Sequence, residues 1–529
     1  MNEEQKAIVS HKQGPLRVIA GPGSGKTRSL TLLTMNLLLC NDAEPSQVVL
    51  CTYTEKAAYE LQDRLTSIAN GVGYKGNLSQ LKVGTIHSIC QQLVNENLYR
   101  TPLGNNYETL DQFTQQLLIF EHLGEICPDN TQAFFRQQWG AFWNIAKKLK
   151  FYFDTIAEEL IFDKLREEFL RLRRYAKEKD ILLYCLTHAY YHYQHVLART
   201  NSIDFAHLLK CAYNLLTETD TFQRITQSIR YVLVDEYQDT NYIQERILTL
   251  LASGCEPKNL CVIGDEDQAL YRFRGATVRN ILEFAHTFPD CKRIFLTSNY
   301  RSHPGIIDTC NQWMASFDWS NPGGHSLRTE KTVGAVPDRH YPFYPSTVSL
   351  DDFDIHGEAE QFTELVYSLK RQGHISDYSE VALLLHSVRP YLLAVNNFST
   401  PHCLMGESYF GRRGCLMNNL TLARSVRPVD SWNMGRYLIE YLTHSKTFPQ
   451  VLLPSNLRES EGRCPSAGSR GWPLATAERA ASTSHGGMER VSERGKGTHR
   501  NAWFPSSRLR VRRLLLIPQL AARESGGVH

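Results

Sequence analysis

Ala20-Gly21-Pro22-Gly23-Ser24-Gly25-Lys26-Thr27 gathers three glycines, a lysine and a hydroxyl into one short turn. Glycine lets successive backbone N–H groups face inward, where they can surround phosphate oxygens. Lys26 adds a cation able to reach the β- and γ-phosphates of a nucleotide, and Thr27 a hydroxyl for Mg2+. Far along the chain the apolar run Tyr231-Val232-Leu233-Val234 ends in Asp235-Glu236. Adjacent carboxylates at a strand tip can divide one task. Asp235 would hold the metal, mostly through water, and Glu236 would orient an attacking water and take its proton. The chemistry these residues predict is Mg2+-dependent hydrolysis of ATP.

Such groups must be held by a strand on one side and a helix on the other. Leu16–Ala20 (LRVIA) precedes the glycine loop, and the helical run 28–39 follows it, which brings the positive end of a helix dipole to the phosphates. The runs Val48–Thr52, Tyr231–Val234, Leu260–Ile263, Ile294–Thr297 and Val381–Leu385 also read as short buried strands, with amphipathic segments such as Glu55–Asn70 between them. This alternation predicts an α/β fold with a parallel sheet covered on both faces. Residues 91–200 break the pattern. They are helix-like and aromatic-rich (Phe134, Phe135, Trp139, Phe142, Trp143, Phe151, Tyr152, Phe153, Tyr190, Tyr191, Tyr193), which predicts an all-helical insertion whose rings are mainly its core.

Composition sets further bounds. The 529 residues carry a net charge of +3. Residues 456–529 hold twelve Arg and one Lys against six Glu, a local charge of +7 that leaves the body at −4. A mildly acidic body is not a uniformly basic nucleic-acid binder, so any grip on DNA must come from local grooves. The thirteen cysteines contain no CxxC pair, which argues against zinc or iron–sulfur sites and fits reduced thiols. The polar start MNEEQKAIVS is unlike a signal peptide, and no apolar run approaches a membrane span. Cytoplasmic location, with no membrane partner, is the expectation. After about residue 455, Arg, Gly, Ser, Ala and Pro dominate and Tyr and Asp disappear, so 456–529 reads as a disordered, low-complexity basic tail.

The continuation Tyr237-Gln238-Asp239-Thr240-Asn241 makes the acidic block DEYQDTN. That block resembles the second helicase motif of UvrD/Rep-type superfamily 1 DNA helicases, and further blocks follow in the family's order. Gln5 lies in a segment similar to the Q motif, whose glutamine reads adenine. Thr52-Tyr53-Thr54-Glu55-Lys56-Ala57-Ala58 resembles motif Ia and Gly84-Thr85-Ile86-His87-Ser88 motif Ib, both contacts to single-stranded DNA. Gly264-Asp265-Glu266-Asp267-Gln268 with Tyr271-Arg272-Phe273-Arg274-Gly275-Ala276 resembles motif III, and Asn299-Tyr300-Arg301-Ser302 motif IV.

The resemblance implies an ATP site of Gln5, the loop Ala20, Gly21, Pro22, Gly23, Ser24, Gly25, Lys26 and Thr27, with Arg28, Tyr300 stacked on adenine, and Arg301 at the γ-phosphate. It implies Lys26, Asp235, Glu236, Gln268 and Arg301 as the catalytic set, Gln268 sensing the γ-phosphate, and Thr27 and Asp235 as Mg2+ ligands. DNA contacts would come from Thr52, Tyr53, Thr54, His87, Tyr271, Phe273 and Arg274. Base stacking on such aromatic faces is worth about 1–3 kcal/mol per base without reading sequence.

The implied fold is a RecA-like P-loop lobe in two parts, 1–90 and 201–300, around the helical insertion 91–200. A partial second RecA-like lobe spans 301–415, 416–455 is unassigned, and the tail follows. The implied activity is an ATP-dependent DNA helicase moving 3′ to 5′ on single-stranded DNA and opening duplex junctions; such motors serve repair, plasmid replication and recombination. The family's motifs V and VI do not occur, and the compositional change suggests a tail from another frame or source. An ATP- and DNA-binding chain with little turnover is therefore the alternative.

Overall fold

The computed structural model describes residues 1–128, 130–167, 181–254, 256–269, 277–317, 328–336, 347–348 and 355–381. Tyr271, Phe273 and Arg274, the strand expected at Val381–Leu385 except for its first residue, and the whole of 382–529 lie outside these residues. Six strands, numbered with the others in chain order, form one sheet: β1 (Leu16–Ala20), β2 (Val48–Thr52), β3 (Lys82–Thr85), β6 (Tyr231–Val234), β7 (Leu260–Gly264) and β8 (Lys292–Leu296). Their spatial order is β3-β2-β6-β7-β1-β8, and every neighbouring pair is parallel. A parallel sheet of this order, with a glycine loop after β1, is the RecA-like arrangement expected above.

The apolar runs are continuous because both faces are covered. Along β1, β2, β6 and β7 the side chains alternate between two cores. Leu16, Val18, Val48, Leu50, Leu233 and Ile263 face one, with Leu30, Leu33 and Leu37 of the helix Lys26–Leu39 and Leu61 and Leu65 of Glu55–Gly71. Ile19, Val49, Cys51, Val232, Val234 and Val262 face the other, with residues of the helices Ile86–Glu96, Phe205–Thr217 and Tyr242–Ala252. Each buried side chain of this kind is worth about 1.5–3 kcal/mol relative to exposure.

Two details differ from the sequence expectation. β8 starts two residues before Ile294, at Lys292. β3 had no apolar run to announce it: it is an edge strand in which only Gly84 is fully buried, so its residues Lys82, Val83 and Thr85 need not be uniformly apolar.

A short parallel pair, β4 (Glu108–Leu110) with β5 (Ser202–Asp204), ties together the two ends of the helical insertion. Between them lie the helices Gln112–Glu121, Leu123–Ile126, Asn130–Trp139, Phe142–Glu158 and Ile181–Thr200. In Phe142–Glu158 the buried positions Ile145, Ala146, Leu149, Tyr152, Phe153 and Ile156 recur at helical spacing, which gives the helix one core face. Phe135, Tyr152, Phe153, Tyr190 and Tyr193 are buried in a core separate from those of the sheet. Trp139 stacks on Phe135 and Tyr152 with ring centroids 4.6 and 5.8 Å apart. Phe142, Trp143 and Tyr191 stay exposed.

After β8 the chain forms β9 (Ser298–Asn299), which pairs in parallel with β10 (Gly334–Ala335). The helices Pro304–Ala315 and Ile355–Arg371 follow β9 and β10 respectively. Among the described residues no helix is long and apolar enough to cross a membrane.

Candidate nucleotide and DNA site

The glycine loop leaves the C-terminal end of β1. Ala20 ends that strand with its methyl buried in the same core as Leu30 and Leu33. Gly23 and Gly25 adopt left-handed conformations, with φ of 67° and 85°. Gly25 is also the N-cap of the helix Lys26–Leu39, and no side chain caps it, so the first backbone N–H groups are left to a ligand. Ser24 Oγ closes the turn on Gly21 O at 2.7 Å. Gln5 braces it from outside: its Nε2 donates to Ser24 O at 3.0 Å, while its Oε1 accepts from Asn2 N at 3.2 Å. Pro22 and Arg28 are exposed at the rim.

Asp235 and Glu236 leave the tip of β6 beside this loop. Asp235 N bonds Cys51 O at the end of β2, which fixes the carboxylate's origin. Thr27 Oγ1 donates to Asp235 Oδ2 at 2.9 Å. Burial, then the charge of Glu236, pushes the Asp235 carboxyl up to about 6, against the opposing pull of Lys26 and Thr27. Glu236 stands at φ 52°, ψ 43°, a left-handed conformation uncommon for a residue with a long side chain. The turn aims its carboxylate back at the loop, where Oε2 lies 3.2 Å from Lys26 Nζ and accepts from Gln238 Nε2 at 2.8 Å.

Gln268 joins the same cluster from beyond β7. Lys26 Nζ donates to its Oε1 at 3.3 Å, and its Nε2 donates to Asp265 Oδ2 at 2.6 Å. Gln238 bridges the two acidic blocks, since its Oε1 accepts from Asp265 N at 2.9 Å. Lys26 is thus the point at which the glycine loop, the β6 tip and the β7 tip converge.

Asn299, Tyr300 and Arg301 pack directly over the loop. Tyr300 N donates to Gly23 O at 2.9 Å, and Asn299 Oδ1 accepts from Arg301 N at 2.7 Å. A methyl at Gly23 would stand 2.7 Å from both Arg301 Cβ and Asn299 Oδ1; one at Gly21 would stand 2.6 Å from Val333 Cγ2. Tyr300 is 39% exposed, and Arg301 is exposed.

The segments read as DNA contacts follow the C-terminal ends of β2 and β3, on the same sheet edge as the loop. In open α/β sheets ligands bind at that edge. Thr52 is buried, Tyr53 half-buried, and Thr54 caps the helix Glu55–Gly71 by accepting from Ala57 N at 3.2 Å. His87 lies edge-on to Phe205, ring centroids 5.7 Å apart, and burial pushes its imidazole down to about 4, which keeps it neutral at physiological pH. Sequence reasoning did not single out Gln238, Asp265, Asn299 or Val333 as site residues. Gln238 and Asp265 sit inside the recognised blocks; nothing in the sequence marks Val333.

Residues 1–289 match the family model of the UvrD/REP helicase N-terminal domain. Among curated proteins, the ATP-dependent DNA helicases PcrA of Staphylococcus epidermidis (strain ATCC 35984) and Staphylococcus aureus (strain Mu50) are each 30% identical over 430 residues. Those alignments cover 80% of this chain and 54% and 53% of the two relatives, so the chain spans about half the length of the curated relatives it matches. With a matched segment that runs from the Gln5 region through both acidic blocks, the chain belongs to the UvrD/REP helicase family.

Proposed function

We propose that this chain is the ATP-hydrolysing part of a DNA helicase that moves 3′ to 5′ along single-stranded DNA and opens duplex at junctions. The convergence on Lys26 carries the reading: one ammonium lies 3.2 Å from Glu236 and 3.3 Å from Gln268, beside a Thr27–Asp235 hydrogen bond. The loop's N–H groups and Lys26 would bind the β- and γ-phosphates. A triphosphate competes with Glu236 for the Lys26 ammonium, and drawing it away releases the Glu236 carboxylate to orient a water and accept its proton. Arg301, next to the loop, would steady charge on the γ-phosphate, a role worth on the order of 10³–10⁵ in rate. Tyr300 would stack on adenine.

Thr27 and Asp235 fit Mg2+: a hydroxyl and a carboxylate oxygen already in contact are the hard donors this ion takes, with phosphate oxygens and water as its remaining ligands. Once bound, the ion would neutralise phosphate charge. Gln268 meets Lys26 of the loop and in sequence directly precedes the block of Tyr271, Phe273 and Arg274, so a change at the γ-phosphate would be passed to DNA held by that block and by Thr52, Tyr53, Thr54 and His87.

The test is ATP turnover by the purified chain with and without single-stranded DNA, then strand displacement on duplexes with a 3′ or a 5′ tail. DNA-stimulated turnover and opening of the 3′-tailed duplex support the reading. Binding of ATP and DNA without turnover would replace it with the binding-only alternative.

A further inference from the structure

Asp265, Glu266 and Asp267 follow β7 directly, and their side chains are 0%, 4% and 14% exposed. Three adjacent carboxylates, two of them buried and the third half-buried, are costly unless cations meet them. The cations come from 328–331, the segment that leads into β10. Arg328 binds both oxygens of Asp267, Nε to Oδ1 and Nη2 to Oδ2, each at 2.8 Å. Lys331, whose side chain is 2% exposed, bonds Asp265 Oδ1 and lies 3.0 Å from Glu266 Oε2 and 3.4 Å from Asp267 Oδ2. Burial works against its charge, but the carboxylates outweigh that and hold the ammonium above its usual range.

The second oxygen of Asp265 accepts from Gln268 Nε2 at 2.6 Å, and Gln268 Oε1 accepts from Lys26 Nζ at 3.3 Å. An amide has a donor end and an acceptor end. As long as Asp265 presents a carboxylate, Gln268 must turn its NH2 toward it and its carbonyl toward Lys26. The reverse orientation would set NH2 against ammonium. Lys331 holds the other oxygen of that carboxylate, so a continuous line of bonds runs from Lys331 through Asp265 and Gln268 to the lysine of the glycine loop.

We propose that Lys331 is a positioning residue: by fixing Asp265 it fixes which end of Gln268 meets Lys26, and so sets the loop lysine for a γ-phosphate. This rests on reading the loop as an ATP site. It predicts that Lys331 affects recognition of the third phosphate rather than nucleotide binding in general, because the loop's N–H groups serve the diphosphate without Gln268.

The experiment titrates the full chain with fluorescent AMPPNP and ADP derivatives in the presence of Mg2+. Lys331→Met should reduce the preference for triphosphate over diphosphate by about fivefold or more, the worth of one hydrogen bond, with ADP affinity kept within about twofold. Lys331→Arg should restore at least half of the lost preference. Asp265→Asn should reproduce the loss, and the double variant should be no worse than the poorer single one, as residues acting in series require. An unchanged preference in Lys331→Met overturns the proposal. So do additive losses, or a fall in ADP affinity and melting temperature together, which would make Lys331 a mere anchor. A parent chain that binds neither nucleotide removes the ATP-site reading and this inference together. A parent that binds both but never hydrolyses removes the helicase reading alone, and the titration still decides the role of Lys331.

Discussion

Thr27 Oγ1 and Asp235 Oδ2 meet at 2.9 Å across 208 positions of sequence. The bond joins the first turn of the helix after the glycine loop to the tip of β6, two strands away from β1 in the sheet. Its position follows from chain topology. Parallel strands put their C-terminal ends on one edge, so residues that follow different strands converge there. The same edge gathers Gln268 after β7 and Thr52 at the end of β2. A hydroxyl–carboxylate pair formed this way sits within reach of Lys26, whose side chain is 9% exposed, and the site's charges are therefore felt at low local dielectric.

Lys26→Ala should weaken ATP binding by at least about tenfold, since charge-assisted hydrogen bonds to phosphate are worth roughly 1.5–3 kcal/mol. The variant also leaves Asp235 and Glu236 without their cation, so a lower melting temperature is expected alongside. Isothermal titration with a non-hydrolysed ATP analogue checks it. An affinity within twofold of the parent would remove Lys26 from the phosphate site.

Glu236→Gln should hold ATP as the parent does and lose turnover by about 10²-fold or more, the worth of a positioned general base. The amide is nearly the same shape and can still accept from Lys26 and Gln238 through its carbonyl oxygen, so the φ 52° turn is kept. What it lacks is a place for the proton. Single-turnover hydrolysis separates the two steps, and a turnover rate equal to the parent's would assign the base elsewhere.

The sheet and the hydrolytic site were largely legible in the sequence, for a physical reason. Strands buried on both faces are apolar at most positions, Arg17 and Thr52 apart, so LRVIA, VVLCT and YVLV stand out, and a phosphate loop needs glycines that few other structures demand. Edge strand β3 escaped because it pairs on one side only among the described residues and is mostly half-buried, so its composition is less constrained. Lys331 escaped for another reason. Its role depends on three carboxylates that precede it by more than sixty positions, and a single lysine in LRTEKTVG has no local feature to distinguish it from a solvated one. Contacts made by chain return are invisible until the fold places them.

His87 carries a pH dependence of definite sign. Burial lowers its imidazole to about 4, below the unfolded value of about 6.5. Between those values the unfolded chain binds the proton more readily than the folded one, so stability from this group is complete above about pH 6.5 and is lost as pH falls toward 4. The His87→Gln chain lacks that linkage. Melting temperatures of the parent and this variant, measured from pH 7.5 to 4.5, should converge as pH falls if the glutamine costs stability at neutral pH. Parallel curves across the whole range would show that the half-buried imidazole is not desolvated in the fold.

Gly21 tests the contact between the glycine loop and 328–336. A methyl there would stand 2.6 Å from Val333 Cγ2 and 3.4 Å from Val333 Cγ1, while every nearest neighbour within reach belongs to that one side chain. The glycine's own φ is not in the left-handed range, so alanine faces no backbone penalty, unlike Gly23 and Gly25. Valine is stiff at χ1 and cannot swing aside as a long side chain could. Gly21→Ala should therefore overpack the contact and cost about 1–3 kcal/mol of stability. Val333→Ala in the same chain removes both clashing methyls and should return most of that loss. Chemical denaturation of the four chains gives the coupling free energy directly. A coupling near zero would mean that Val333 does not lie over the loop, and a destabilised double variant equal to the sum of the singles would say the same.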